Sequence, residues 1–162
     1  MDLTEWFDNQ LTASAEGFAW AVEQVAPDRR IVPPPKGLGE WNIARHVFHM
    51  YSYERMIALP TMRHWLGDPL PSNAETYYQD EEAAWKENKQ DIQSLLTKFR
   101  EVRTEQLLLL SKFNLEAWEE TRDTVWGTVT LRWVVSKTYQ NTCKHTDEVL
   151  QMALFWDQQK DN

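Results

Sequence analysis

Apolar residues recur at intervals of three and four positions along four long segments of the chain. The segments run from about residue 2 to 25, from 40 to 59 just before Pro60, from 76 to 112, and from 130 to 158. Such spacing collects the apolar side chains on one side of an α-helix. The pattern therefore predicts four amphipathic helices, and no stretch shows the clear alternation of a β-strand.

The residues around these segments carry the usual markers of helix ends. Ser72 and Glu75 form a capping-box pattern before the third helix, since each side chain can bond the other residue's free amide. The acidic run 80–82 is interpreted as the solvated first turn of that helix, where the helix dipole favours negative charge. Thr130 is the expected N-cap of the fourth helix. Three prolines at 33–35 exclude helix between the first two segments, because proline lacks an amide donor.

The stretch before the fourth helix is longer than a tight turn between helices requires. Residues 114–120 predict one short capped turn of helix, and residues 121–130 alternate loosely, as a turn or small hairpin does. Four amphipathic helices without a confident strand predict an all-α fold, a four-helix bundle with a long connection before its last helix. No linker or repeat divides the chain, so residues 1–162 are expected to form a single domain.

Composition and charge exclude several classes of protein. Hydrophobic residues make up 42% of the 162 positions and aromatic residues 12%, which excludes a disordered chain. The net charge of −8 argues against a surface for phosphate groups, so no nucleic-acid partner is expected. No apolar run reaches 18 residues, so no membrane span is expected. A single cysteine, Cys143, and a polar start without a signal-peptide core predict a cytoplasmic protein.

Polar residues interrupt the apolar stripe of the fourth predicted helix at its centre. The middle of that stripe consists of four polar positions, Thr138, Asn141, His145 and Glu148. Residues three or four apart on a helix are neighbours on one face, so these side chains project together. A buried polar group without a partner costs about 1–3 kcal/mol. The pattern fits a hydrogen-bonded network, a partly exposed stripe or a ligand site.

The second predicted helix carries a polar and aromatic stripe beside its apolar one, formed by Asn42, His46, His49, Tyr53 and Met56. His46 and His49 are three positions apart and could chelate one ion together, although a core histidine beside a surface histidine is the commoner arrangement. A helix with two usable faces is expected to pack on both sides. Together with nine tryptophans, this leaves more apolar surface than one core needs and predicts a homodimer.

Two stretches of the chain resemble the DinB-like (DinB/YfiT-like) superfamily. Between residues 39 and 50, Trp41 opens the helix and His49 follows eight positions later, which is similar to that family's helix-2 signature. Residues 140–150 resemble its helix-4 motif, in which two histidines lie four positions apart. The order and spacing of the helices also match over nearly the whole chain, including the long connection before the last helix.

The resemblance implies a bundle in which three histidines hold a divalent metal ion, often nickel or zinc. His49 matches the ligand of the second helix and His145 the last ligand of the fourth, so their side chains should meet in the interior. Asn141 stands where the remaining histidine belongs, and an amide oxygen is a weaker donor than imidazole. Glu148 shares the stripe and is expected either to substitute as a ligand or to support His145.

Some relatives are transferases or isomerases that use a low-molecular-weight thiol. The resemblance therefore implies a metal-dependent transferase or hydrolase for a small-molecule substrate, with such a thiol as a further cofactor; catalytic residues are not identified. His46 has no counterpart among the three ligands and is expected to line the cleft with Tyr53 and Thr138. The alternative is a non-catalytic small-molecule-binding or structural dimeric bundle that has lost the metal, for which Asn141 is the evidence. Whether the chain is an enzyme stays open at this point.

Overall fold

A computed structural model describes residues 2–70 and 76–158. In chain order its elements are α1 (Leu3–Gln24), α2 (Ile43–Tyr53), α3 (Leu59–His64), α4 (Tyr77–Lys86), α5 (Ile92–Leu110), β1 (Thr121–Thr124), β2 (Gly127–Thr130) and α6 (Leu131–Phe155). The all-α prediction is confirmed, since the described residues contain no sheet other than the small hairpin of β1 and β2. The capping-box pattern at Ser72 and Glu75 lies outside the described residues.

The long helices pack as a bundle around an interior built from their apolar stripes. Helix α1 packs on α5 and α6, and α2 packs on the same two helices. Phe18, Ile43, Phe99 and Leu131 are among the fully buried side chains. Burying a side chain of this kind stabilises the fold by about 1.5–3 kcal/mol. Among the described residues, no helix combines the length and the apolarity needed to cross a membrane.

The second helix continues past Pro60, where the sequence predicted it to end. Its α-helical part, α2, begins after Asn42, whose side chain accepts a hydrogen bond from the Arg45 amide at 2.9 Å. A π-helical turn, Glu54–Ala58, then leads directly into α3. In that turn the hydrogen bonds span one residue more than in an α-helix, so their spacing changes immediately before Pro60. Proline has no amide hydrogen to donate. Because Pro60 lies where the hydrogen-bond spacing changes, the helix continues through it without interruption.

The third predicted helix is two helices, α4 and α5, with a break at residues 87–91. Asp91 accepts a hydrogen bond from the backbone amide of Ser94 at 2.8 Å and so begins α5 as its N-cap. Within the break, the side chain of Asn88 accepts from the amide of Gln90 at 3.1 Å. Asn and Asp side chains compete in this way with helical backbone bonds. This local competition outweighs the continuous apolar spacing, and the prediction of one helix was wrong.

The connection before α6 contains both elements that the sequence predicts. Residues Glu116–Trp118 form one 3-10 turn, and the side chain of Asn114 caps it. Strands β1 and β2 pair antiparallel, with Thr121 opposite Thr130. The Thr130 hydroxyl also accepts from the amide of Trp133 at 3.2 Å, which confirms Thr130 as the N-cap of α6.

One buried guanidinium joins the bundle at its centre. Arg103 on α5 is only 2% exposed and donates to both carboxylate oxygens of Glu54 in the π-helical turn. It also donates to the carbonyl oxygen of Leu11 on α1 at 2.6 Å and to the Thr142 hydroxyl on α6 at 2.8 Å. A buried charge is tolerated only when it is paired and fully hydrogen-bonded. These contacts meet that requirement.

Candidate metal site

Three side chains that can bind metal meet between α2 and α6. His46 Nδ1 lies 2.9 Å from His145 Nδ1, while Glu148 Oε2 lies 2.8 Å from His145 Nδ1 and 3.6 Å from His46 Nδ1. Two ligands of a tetrahedral zinc ion with bonds of about 2.0–2.1 Å lie about 3.3 Å apart. The spacing of these three atoms therefore fits one ion of that size, and imidazole and carboxylate are donors that zinc accepts.

The local sequence explains why these side chains converge. His145 and Glu148 are three residues apart on α6 and therefore share one face. His46 lies in the first turns of α2, which packs against α6. Both imidazoles are buried, whereas the side chain of Glu148 retains about a third of its exposure and connects the group with solvent.

Burial keeps both imidazoles of this group uncharged. Loss of hydration lowers the pKa of His46 to about 4, with the neighbouring positive charges of His49, Lys144 and Arg45 adding to the effect. Loss of hydration also lowers the pKa of His145 to about 2. Both rings are therefore neutral at pH 7, so one Nδ1 donates its proton to the other across the 2.9 Å contact. Neutral imidazole is also the form that binds metal.

The ring of Trp41 packs against the imidazoles of three histidines. Its ring centroid lies 5.4 Å from that of His46 and 5.2 Å from that of His49. It stacks on His145 at 5.9 Å with an angle of 2° between the rings. A large apolar ring at this position displaces water from the nitrogens, and electrostatic interactions are stronger in such a dry environment.

His49, the ligand of the second helix in the resemblance, lies beside this group. Its ring centroid is 4.7 Å from that of His145, so the structure brings these two side chains together. Its Nδ1, however, lies 2.9 and 3.0 Å from the two carboxylate oxygens of Glu81 on α4. The compact group that includes His145 and Glu148 is completed by His46, to which the resemblance gave no ligand role.

The other residues that the sequence singled out lie on α2 and α6, the two helices that carry the histidines. The Asn141 side chain is half-buried and donates to the sulfur of Met50 at 3.7 Å. Thr138 is fully buried, and its hydroxyl donates to the carbonyl of the preceding helical turn at 3.1 Å. Tyr53 is buried with its ring centroid 6.0 Å from that of His49. Of these three side chains, Tyr53 is the one with a described contact to an imidazole, that of His49.

A cavity of about 520 Å³ opens onto the histidine group. Its wall includes Trp41, His46, His145 and Glu148, and its rim carries the charged residues Glu40, Lys144 and Asp147. Of the three residues expected to line the cleft, His46 belongs to this wall, whereas Tyr53 and Thr138 do not. A cavity of this volume accommodates a small organic molecule.

Two buried charged residues near the histidines were missed from the sequence. Glu81 is 3% exposed, so the interpretation of residues 80–82 as a solvated turn was wrong at its central position. Glu81 faces inward because it lies four residues after the buried Tyr77 on the same face of α4. This spacing was the available signal. Arg45, also buried, lies next to His46 in the sequence, and its Nη1 is 2.8 Å from Glu81 Oε1.

Comparison with known proteins gives one match. The family model described as the DinB superfamily matches residues 10–149, a region that includes α2, α4 and α5 and most of α6. No curated protein and no solved structure matches the chain. The matched region contains His46, His49, His145 and Glu148, and the match confirms the resemblance to this superfamily. Because the match covers most of its length, the chain belongs to the DinB superfamily.

Proposed function

We propose that this protein is a metal-dependent enzyme, a transferase or hydrolase for a small molecule, with His46, His145 and Glu148 as ligands of a divalent ion. The observation that carries the proposal is the buried convergence of these three side chains at the wall of a cavity of about 520 Å³. The DinB superfamily is often metal-binding. Two imidazoles and one carboxylate suit zinc or nickel.

The residues of the chain define what such a centre can do. A divalent ion bound there supplies a Lewis acid that lowers the pKa of a water or thiol. Neutral His46 and His145 leave most of the positive charge uncompensated, and three protein ligands leave a position for substrate. Trp41 excludes water from the rings, and Lys144 at the rim offers a positive charge to an anionic substrate group. A low-molecular-weight thiol is proposed as the co-substrate on the basis of the resemblance to relatives that use one.

Two sets of residues are candidate ligands at this place. The first set consists of His46, His145 and Glu148, whose ligand atoms all lie within 4.8 Å of one another. The second, implied by the resemblance, combines His145 with His49 and Asn141. His145 belongs to both sets, so its removal tests whether metal binds, and the other substitutions test which set binds it.

The test is calorimetric titration of metal-free protein with Zn²⁺ and Ni²⁺, together with elemental analysis of protein purified without a metal-affinity column. We expect His145→Gln to abolish binding, and His46→Gln and Glu148→Gln each to weaken it at least about tenfold, or about 1.4 kcal/mol. His64→Gln is the matched control, because the one described hydrogen bond of the His64 imidazole is to the local carbonyl of Asp68. Unchanged affinity in His46→Gln and Glu148→Gln would contradict the proposed ligand set.

Turnover is tested separately from binding. Metal-loaded and metal-free protein are incubated with low-molecular-weight thiols and small electrophiles, and with activated esters and amides, and loss of substrate is followed. We expect consumption that requires metal and disappears in His145→Gln. Tight metal binding without any turnover across these substrates would contradict the enzymatic part of the proposal.

A bundle that has lost its metal is a second candidate function. Two observations favour it: Asn141 replaces a histidine of the family motif, and the Nδ1 atoms of His46 and His145 satisfy each other at 2.9 Å without an ion. The protein would then be a non-catalytic small-molecule-binding or structural dimer. Wild-type protein that binds neither Zn²⁺ nor Ni²⁺ in the titration would establish this alternative over the enzyme.

A further inference from the structure

A second cavity, of about 400 Å³, lies between α2 and α4. Among the described residues, it shares no lining residue with the cavity at the histidine group. Phe48 lines the second cavity and follows His46 by two positions, so it lies about 200° further around α2. The two cavities therefore open on different sides of this helix, and the second is separate from the proposed metal site.

The inner wall of the second cavity consists of buried side chains that leave space between the helices. Phe48, Ser52 and Tyr77 line it and are 6%, 8% and 3% exposed. Ser52 on α2 and Ala84 on α4 are short side chains, so the space between the two helices stays open. A cavity of this volume, with aromatic walls and few polar groups, is typical of a small-molecule site.

The hydroxyl of Ser52 is the polar group of this wall that can donate a hydrogen bond to a ligand. In its one described hydrogen bond the Ser52 oxygen accepts from the Tyr77 hydroxyl, at the long distance of 3.5 Å. The proton of Ser52 therefore has no described acceptor. A buried donor without an acceptor is costly, so a ligand oxygen that accepts this proton would be bound favourably.

The charges around the cavity favour an uncharged ligand. Two acidic and two basic residues, all exposed, stand at the mouth: Asp80, Glu87, Arg55 and Lys89. The buried carboxylate of the wall, Glu81, is already compensated, because its oxygens lie 2.9 Å from His49 Nδ1 and 2.8 Å from Arg45 Nη1. A charged ligand would lose hydration on entering and would find no buried charge left to pair with.

We propose that the cavity between α2 and α4 is a second ligand site, for an uncharged aromatic molecule that carries a hydrogen-bond acceptor such as a carbonyl oxygen. The ring of the ligand packs against Phe48 and Tyr77, since aromatic pairs gain energy beyond the area that they bury. Its acceptor takes the proton of Ser52. Binding at this site requires no metal ion, so the assignment stands apart from the proposed function.

Three naphthalene derivatives that differ in charge test the assignment in the wild-type chain: an uncharged carboxamide, an anionic carboxylate and a cationic methylammonium. Proton–nitrogen correlation spectra follow the backbone amides during titration. We expect the carboxamide to give saturable shifts in α2 and α4 with a Kd below about 1 mM. The two charged compounds should bind at least about tenfold more weakly. Equal binding of all three, or shifts confined to the cavity at the histidine group, would overturn the proposal.

Filling the cavity provides a matched pair of variants. Ala84→Phe places a ring in the cavity, whereas Ala83→Phe makes the same change one position earlier, at a residue that is exposed but does not line it. We expect Ala84→Phe to weaken binding of the carboxamide more than about tenfold and Ala83→Phe to keep wild-type affinity. Wild-type affinity in both variants would show that the carboxamide binds elsewhere.

Ser52→Ala tests the hydrogen bond by itself. Affinity for the carboxamide should fall about 2–10-fold, and affinity for methylnaphthalene, which has no acceptor, should not change. Equal losses for both compounds would contradict the role of the hydroxyl. If no probe binds and Ala84→Phe lowers the sedimenting mass while Ala83→Phe does not, the cavity belongs to an interface between two copies of the chain, and the proposal fails.

Discussion

The imidazoles of His46 and His145 are uncharged because they are buried, and this burial lowers the stability of the folded protein at acidic pH. In the folded chain His46 gains a proton only near pH 4 and His145 near pH 2, whereas an unfolded histidine gains one near pH 6.5. Between these values the unfolded state binds more protons than the folded state. The contribution of these two histidines to the free energy of unfolding is therefore fully present above about pH 6.5 and is lost as the pH is lowered.

We expect metal-free protein to lose about 1.4 kcal/mol of unfolding free energy per pH unit for each of the two histidines below pH 6.5. Urea denaturation at pH 7, 6 and 5 in the presence of a chelator measures this slope. His46→Asn, which lacks one of the two groups, should show about half of it. A free energy of unfolding that stays constant from pH 7 to pH 5 would contradict the burial of neutral imidazoles.

Asn141→His is expected to strengthen metal binding. Residue 141 lies one helical turn before His145 on the same face of α6, so the new imidazole joins the existing donors. Affinity for Zn²⁺ or Ni²⁺ should rise at least about tenfold, or about 1.4 kcal/mol, and titration calorimetry measures the change. Gln140→His adds the same ring at an exposed position and serves as the control. Equal affinity in Asn141→His and wild type would show that position 141 is not a ligand position.

Single residues of the site were predictable where helical spacing alone determines their neighbours. The polar stripe of α6 identifies His145 and Glu148, because their contact depends only on a separation of three residues. The partner of His46 depends on how α2 lies against α6, which no spacing within α2 reveals. The role of Glu81 was missed for the same reason, since its partners His49 and Arg45 lie on another helix.

At the scale of whole elements, the apolar pattern located the helices well and their ends less well. The turn, hairpin and N-cap before α6 were all predictable, since each depends on local side-chain chemistry such as that of Asn114 and Thr130. The break at residues 87–91 was missed because the apolar spacing continues across it. Pro60 was read as an end because the π-helical turn that accommodates it has no marker in the apolar pattern.

Asp91→Ala tests whether the side-chain cap maintains the start of α5. Loss of an N-cap costs about 0.5–2 kcal/mol, so unfolding free energy measured in urea should fall by that amount. Asp8→Ala makes the same chemical change at an exposed position within α1, where alanine favours the helix. We expect that control to be neutral or slightly stabilising. Equal effects of the two substitutions would show that the Asp91 cap does not stabilise α5.

At the scale of the whole molecule, a homodimer stays a prediction that exposed apolar side chains support. Trp20, Leu108 and Leu154 are 56%, 62% and 66% exposed. Apolar residues gathered in patches of a few hundred Å² usually mark interfaces. We expect sedimentation at micromolar concentration to give twice the mass of the 19.2 kDa chain. A monomer under these conditions would contradict the prediction.

The ion pair of Arg103 and Glu54 is expected to contribute strongly to global stability. Arg103→Met leaves a buried carboxylate without its partner, which costs about 3–5 kcal/mol. Arg100→Met is the control, since Arg100 on the same helix is partly exposed and pairs with Glu16 at 3.6 Å. Loss of such a surface pair costs less than about 1 kcal/mol. Urea denaturation compares the two variants, and similar losses would show that burial does not strengthen the Arg103 pair.

The contacts of Arg103 also restrict how the helices can slide along one another. Its guanidinium touches the α1 backbone, the π-helical turn and α6 at one height along the bundle axis. Thr142 lies one turn before His145, and Glu54 lies five residues after His49, so this height adjoins that of the imidazoles. A shift of one helical turn, about 5.4 Å, would break all of these bonds at once. Insertions and deletions in the loops at either end of the bundle can therefore accumulate while the distances between the imidazoles stay constant.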